Sequence, residues 1–137
     1  MEFQTLNPAT EELIKRYEFI DDDTLQEKIN KSEEAFEYWK SLSFKERSQY
    51  LHQLADALEN NKEAHAVSIT KEMGKPINQA RGEIGKCAWV CRHYADNAEG
   101  FLQAEHKDLD ATKESIIEFQ PLGVIYAIMP WNFPYWQ

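Results

Sequence analysis

The sequence predicts an α/β fold dominated by helix, and three features predict it. Between residues 24 and 102 the apolar side chains recur with the 3.6-residue period of amphipathic helices. Short segments of strand character flank this helical stretch on both sides. Near the end, Val124-Ile125-Tyr126-Ala127-Ile128-Met129 is a continuous apolar run, and a strand apolar on both faces belongs in a parallel sheet covered by helices above and below.

Taken in order, Phe3-Gln4-Thr5-Leu6 and Leu13-Ile14-Lys15-Arg16-Tyr17-Glu18 read as two strands around the turn Asn7-Pro8-Ala9-Thr10-Glu11-Glu12. Asp21-Asp22-Asp23 with Thr24 offers a helix N-cap, and Gln26, three residues after Asp23, completes a capping box on Asp23. Leu25, Ile29, Phe36, Trp39 and Leu42 form the stripe of that first helix. Ser43 and Glu46 repeat the capping box, and Tyr50, Leu51, Leu54, Ala55 and Leu58 line one face of a second helix that Asn60-Asn61 interrupts.

A third helix, residues 62–73, stops at Gly74, and Pro76 is suited to open the next one. The fourth is the longest. Ile77, Ala80, Ile84, Cys87, Ala88, Cys91, Tyr94, Ala95, Ala98, Phe101 and Leu102 keep one stripe over a length of roughly 40 Å at 1.5 Å per residue. Arg81, Glu83, Lys86, Arg92 and Asp96 mark its wetter side. Gly82 and Gly85 each cost ~1 kcal/mol against Ala inside a helix, which points to close approach of another backbone. Residues 106–120 then turn polar and alternating, a strand pair outside the core.

The run 124–129 has a physical consequence. A strand buried on both faces needs parallel neighbours, and no second run of this kind occurs to lie beside it. Unpaired edges on an apolar strand invite aggregation. The expectation is that these residues are the N-terminal portion of a larger α/β protein.

Composition excludes several classes. Fifteen Lys+Arg stand against 24 Asp+Glu, a net charge of -9, the wrong sign for a general nucleic-acid binder or for an anionic membrane surface. The N-terminus lacks the basic and apolar regions of a secretion signal, and no apolar window reaches ~18 residues, so a cytoplasmic protein is expected. The two cysteines, Cys87 and Cys91, lie four apart on the long helix. With His93 they make a metal trio, yet a closed zinc site needs four ligands and the other histidines are scattered, so no metal is expected and packing is the better reading of both thiols. Cys91 and His93 do not form a nucleophile with its base either, because residues two apart on a helix point in different directions.

Ligands of open parallel sheets bind beyond the carboxyl ends of strands, and the segment there is Pro130-Trp131-Asn132-Phe133-Pro134. Trp131 supplies a flat apolar wall, Asn132 an amide donor, and the prolines stiffen the loop, which suits a preorganised site for charge developing on a substrate oxygen. The residue types alone equally allow a strand exit in which Trp131 packs and Asn132 caps a following helix. Phosphate cradles of the usual form are absent from the sequence, since Gly74-Lys75 and Gly85-Lys86 lack the upstream glycine of a P-loop and no Gly-x-Gly-x-x-Gly occurs.

Four blocks, in order and spacing, resemble the N-terminal third of an aldehyde dehydrogenase: Asn7-Pro8-Ala9-Thr10-Glu11-Glu12, the stretch Glu72-Met73-Gly74-Lys75-Pro76-Ile77-Asn78-Gln79-Ala80-Arg81-Gly82-Glu83, then Pro121-Leu122-Gly123-Val124, and Ile128-Met129-Pro130-Trp131-Asn132-Phe133-Pro134. The last block, with Trp136-Gln137, is most similar to the succinate-semialdehyde dehydrogenase branch. The resemblance implies the N-terminal portion of that family's α/β fold. Residues 1–105 would be the helix-rich part of a Rossmann-like NAD(P)-binding domain, 106–120 part of an oligomerisation hairpin, and 121–137 the first buried parallel strand with the active-site loop.

The resemblance further implies that Asn132 donates its amide to the oxyanion as a cysteine thiolate attacks the aldehyde, and that Met129, Pro130, Trp131 and Asn132 line NAD or NADP. It implies a small-molecule aldehyde as substrate, succinate semialdehyde foremost, converted to its acid through a thiohemiacetal and thioester, in a homo-oligomer. The family's catalytic cysteine and general-base glutamate match no position here; Cys87 and Cys91 lie ahead of the site. These residues are therefore expected to be inactive by themselves, and the alternative is a catalytically dead helical assembly module derived from the same family.

Overall fold

Local sequence accounts for several element boundaries of the chain, which a computed structural model describes over residues 2–110 and 113–137. Strands β1 (Glu2–Leu6) and β2 (Leu13–Glu18) pair antiparallel, Glu2 opposite Glu18, with an irregularity at Thr5/Leu6. Asn7 closes the turn between them by accepting the Ala9 N–H on its side-chain oxygen at 3.0 Å, an Asx turn. Phe3 stacks on Tyr17 across the ladder at a centroid distance of 5.0 Å.

Helix α1 (Asp22–Ser41) begins earlier than the capping box on Asp23 predicts. Its N-cap is Asp21, extended at φ -76° and ψ 168°, whose carboxylate accepts the Thr24 N–H at 2.7 Å. Asp22 and Asp23 thereby occupy the first turn, where negative charge meets the positive end of the helix dipole. Helix α2 (Phe44–Asn60) carries the predicted box at Ser43: Glu46 N–H donates to Ser43 Oγ at 3.2 Å and Ser43 N–H donates to Glu46 Oε2 at 2.8 Å.

Helix α3 (Lys62–Met73) ends at Gly74, left-handed at φ 75°, whose N–H donates to the Thr70 carbonyl at 2.9 Å. Pro76 then precedes α4 (Ile77–Phe101), its carbonyl accepting the Gln79 and Ala80 N–H groups at 2.9 and 3.0 Å. The core lies where α2, α3 and α4 meet: Ala55 and Leu58 from α2, Ala66 and Ile69 from α3, and Ala80, Ile84, Cys87 and Ala88 from α4. Small residues dominate this set, so the helices approach closely around the fully buried Ile84. Helix α1 buries no residue in this core, although Trp39 meets the edge of Tyr50 on α2 at 5.4 Å. Arg92 of α4 reaches Asp56 and Glu59 of α2 at 2.7 to 2.9 Å, and Arg81 of α4 grips Glu63 of α3 through two nitrogens at 2.7 and 2.8 Å.

Strands β3 (Glu105–Asp110) and β4 (Lys113–Ile117) form the second antiparallel pair, with Glu105 opposite Ile117. They share no ladder with β1 and β2. Among the described residues no helix is long and apolar enough to cross a membrane.

Three expectations meet a different structure. The run 124–129 forms no ladder and is exposed, Tyr126 at 87% and Ile128 at 80%, because a parallel strand exists only beside a parallel neighbour and the described residues hold none. Glu83 is not on the wet side of α4: only 5% of it is exposed, for a reason given by its partners below. Among the described residues the helix glycines Gly82 and Gly85 do not receive another backbone, since a β-carbon at Gly82 would meet nothing within 4 Å and one at Gly85 would meet only the Lys62 side chain, at 3.4 Å.

Candidate functional site

The stretch after Met129 is a series of tight turns that folds back onto the start of α4. Two charged side chains hold it there. Lys75, fixed between the left-handed cap Gly74 and the helix-opening Pro76, is 8% exposed. Its Nζ donates to Glu83 Oε2 and, at 3.1 Å, to the backbone carbonyl of Asn132. Glu83 Oε1 accepts the backbone N–H groups of Tyr135 at 2.9 Å and Trp136 at 3.1 Å. Both carboxylate oxygens of a buried Glu are thus satisfied, as burial of a charge requires.

Burial alone would push the Glu83 carboxyl up; the Lys75 ammonium and the two backbone N–H donors outweigh it and hold the group below the ordinary glutamate value. Aromatic rings complete the seat. Lys75 Nζ lies 3.7 Å from the centre of the Phe133 ring, and Lys86 Nζ lies 3.7 Å from that of Trp136. Trp136 also packs against the helical core. Tyr135 Oη pairs with His65 Nδ1 at 2.9 Å, tying the loop to α3 as well as α4.

The predicted site residues fall on this loop together. Asn132 is held by its main chain, which leaves its carboxamide exposed. Trp131 is 76% exposed and Met129 and Pro130 are exposed beside it. An exposed indole, a proline ring and a carboxamide are groups of the kind that can pack against a planar amide-bearing heterocycle such as nicotinamide. They offer nothing for a pyrophosphate, whose usual partners are backbone N–H groups at a helix N-terminus or a basic fork.

The cysteines belong elsewhere. Cys87 is part of the buried cluster and Cys91 packs against it. Burial pushes the Cys87 thiol up, with Glu83 and Cys91 adding to the effect, and burial raises Cys91 too. A thiol kept protonated is a poor nucleophile.

Lys75 and Glu83 are the loop-holding residues that the sequence reading passed over. For Glu83 a signal existed: it stands between Ala80 and Cys87, three after one and four before the other, on the buried stripe itself. A carboxylate on that stripe demands a partner. For Lys75 the sequence carries only its confinement between Gly74 and Pro76.

The sequence profile of the aldehyde dehydrogenase family matches residues 1–137. A probable NADP(+) succinate-semialdehyde dehydrogenase of Synechocystis is 44% identical over 137 residues, covering 100% of this chain and 30% of that protein. The NAD(P)+ succinate semialdehyde dehydrogenase of Escherichia coli is 39% identical over 133 residues, 97% of this chain and 29% of that protein. The crystal structure of succinic semialdehyde dehydrogenase from Streptococcus pyogenes, in complex with NADP+, superimposes with a TM-score of 0.90 at 32% identity, over 98% of this chain and 30% of that one. The chain spans about 30% of the length of these relatives.

Proposed function

This chain belongs to the aldehyde dehydrogenase family, and from that premise we propose that the complete protein carrying it oxidises an aldehyde, succinate semialdehyde foremost, to its carboxylic acid with NAD or NADP. The observation that carries the reading is the 44% identity along the whole chain with a probable succinate-semialdehyde dehydrogenase. The hold of Lys75 and Glu83 on the loop supports it, because an oxyanion donor works only when its position is fixed before charge develops.

In the proposed chemistry a cysteine thiolate from beyond this chain attacks the aldehyde carbon. The new C–S bond pushes the carbonyl π pair onto oxygen, and the Asn132 carboxamide donates an N–H to that oxygen. The donor bonds better to an oxyanion than to a neutral carbonyl, so it lowers the barrier and not merely the substrate's free energy. Met129, Pro130 and Trp131 form the wall beside the nicotinamide, keeping water from the reacting carbon. When bound, the dinucleotide supplies the hydride acceptor. Cys87, buried behind Glu83, takes no part.

The same reading assigns the β3–β4 hairpin to contact between copies of the protein, as its resemblance to part of an oligomerisation hairpin suggests. It makes the protein cytoplasmic and its substrate a small aldehyde.

The test is Asn132→Ala in the complete protein. Turnover of aldehyde should fall about 10²-fold or more while cofactor affinity stays nearly constant. An unaltered kcat removes Asn132 from the oxyanion role, and failure of the complete protein to reduce NAD or NADP with succinate semialdehyde, or with any other aldehyde, removes the proposed activity.

A further inference from the structure

Among the described residues, the polar contacts of Lys75 and Glu83 are made with the loop or with each other. Lys75 Nζ has three directions of interaction: Glu83, the Asn132 carbonyl at 3.1 Å and the Phe133 ring at 3.7 Å. Glu83 gives one oxygen to Lys75 and the other to the N–H groups of Tyr135 and Trp136. A salt bridge that served only the packing of the helices would be satisfied within α3 and α4. This one reaches across 52 to 57 residues of chain to the carbonyl of one amide-bearing residue and to the N–H groups three and four residues after it.

The platform under the pair is rigid. Lys75 has Gly74 at φ 75° before it and Pro76 at φ -53° after it, so its main chain is fixed where α3 stops and α4 starts. Glu83 lies on α4 beside Ile84, which is wholly buried. Between them, the carbonyl of residue 132 and the N–H groups of residues 135 and 136 are fixed to regular structure, and the intervening Pro134 restricts the rest.

We infer that Lys75 and Glu83 are positioning residues that set the direction of the Asn132 carboxamide by clamping its own backbone carbonyl and the backbone three and four residues after it, so that the strength of this buried ion pair is felt in turnover. The inference rests on the oxyanion reading of Asn132. Displacements of about 1 Å at a reacting group cost up to 10²-fold in rate, and the loop has no ladder of its own to resist them.

A double-mutant cycle in the complete protein tests it, with kcat, the KM for aldehyde and the Kd for cofactor measured on Lys75→Met, Asn132→Ala and the two combined. Lys75→Met should lower kcat about 10-fold or more and leave KM and Kd within about 2-fold, since Met129, Pro130 and Trp131 are unchanged. Added to Asn132→Ala, the same change should lower kcat by less than about 2-fold, because there is no amide left to misdirect. Should Lys75→Met fail to fold, the paired Lys75→Met/Glu83→Gln variant, which leaves neither charge unpaired, takes its place in the cycle with the same expectation. An unchanged kcat, or an equal loss with and without the Asn132 amide, overturns the positioning role while a low kcat in Asn132→Ala still upholds the oxyanion reading. A normal kcat in Asn132→Ala overturns both.

Discussion

Glu83 accepts the backbone N–H of Tyr135 at 2.9 Å across 52 residues of chain. Because Lys75 and the loop amides hold its carboxyl below the ordinary glutamate value against the opposing effect of burial, folding and protonation are linked. The group binds protons more readily in the unfolded chain than in the folded one. Its contribution to stability is therefore complete above the unfolded value of about 4.3 and is lost as pH falls through the lower, folded value.

Glu83→Gln should make this visible. At pH 7 it leaves the Lys75 ammonium buried without its counter-charge, a loss of about 3–5 kcal/mol. As pH falls below the ordinary glutamate value of about 4.3 the difference between the two proteins should shrink, since the carboxyl of the unfolded chain then takes up protons that the folded one still resists. Urea midpoints of the complete protein measured from pH 7 down to pH 3 check this, and a difference that stays constant over the range would detach Glu83 from acid unfolding.

Gly74 connects the first turn of the chain to the seat of the site. At φ 75° it adopts a conformation that costs a residue with a side chain about 1–2 kcal/mol, and a β-carbon there would lie 3.2 Å from Pro8 Cγ. Gly74→Ala should thus destabilise by more than the backbone cost alone. Replacing Pro8 by Ala in the same protein should return the crowding part and leave the backbone part. A full recovery would show that φ at residue 74 contributes nothing, and none would show that Pro8 moves aside freely.

The thiols provide a separate check on packing. Cys87 is 6% exposed and burial raises its pKa, so at pH 7.5 iodoacetamide should modify it at least about tenfold more slowly in the folded protein than in urea. Cys91, only partly buried, should react first of the two. Peptide mass spectrometry over a time course reads both sites, and fast labelling of Cys87 in the folded state would place it outside the core.

Much of this was legible in the sequence because local chemistry decides it. Ser43 with Glu46, Gly74 followed by Pro76, and the apolar stripe from Ile77 to Phe101 specify helix ends and faces through contacts a few residues apart. Where several carboxylates competed for one cap, at Asp21, Asp22 and Asp23, residue types did not select among them, and the extended backbone of Asp21 did. Residues 124–129 read as a strand, and the structure forms none there, because a ladder depends on a neighbour and period alone cannot supply one. The candidate loop was found by its composition, whereas its anchors were not. Lys75 and Glu83 meet it over more than fifty residues of sequence, and a charged residue on a helix reads as solvated until a partner is seen.

Ile84 offers the sharpest test of where the stability of the molecule resides. It is wholly buried at the point where α2, α3 and α4 meet, and it neighbours Glu83 on the helix that seats the loop. Ile84→Ala removes methyl groups into a site lined by Ala55, Ala66, Ala80 and Ala88, side chains too short to fill the space, so the cavity should persist and the cost should reach about 2–5 kcal/mol. Leu25 of α1, at 47% exposure and outside that cluster, should by contrast lose no more than about 0.5 kcal/mol when changed to Ala. Denaturation of the two variants side by side separates a core made of α2, α3 and α4 from one that extends to α1. Comparable losses in both would place α1 in the core, and a small loss at Ile84 would mean that the three helices close over the gap.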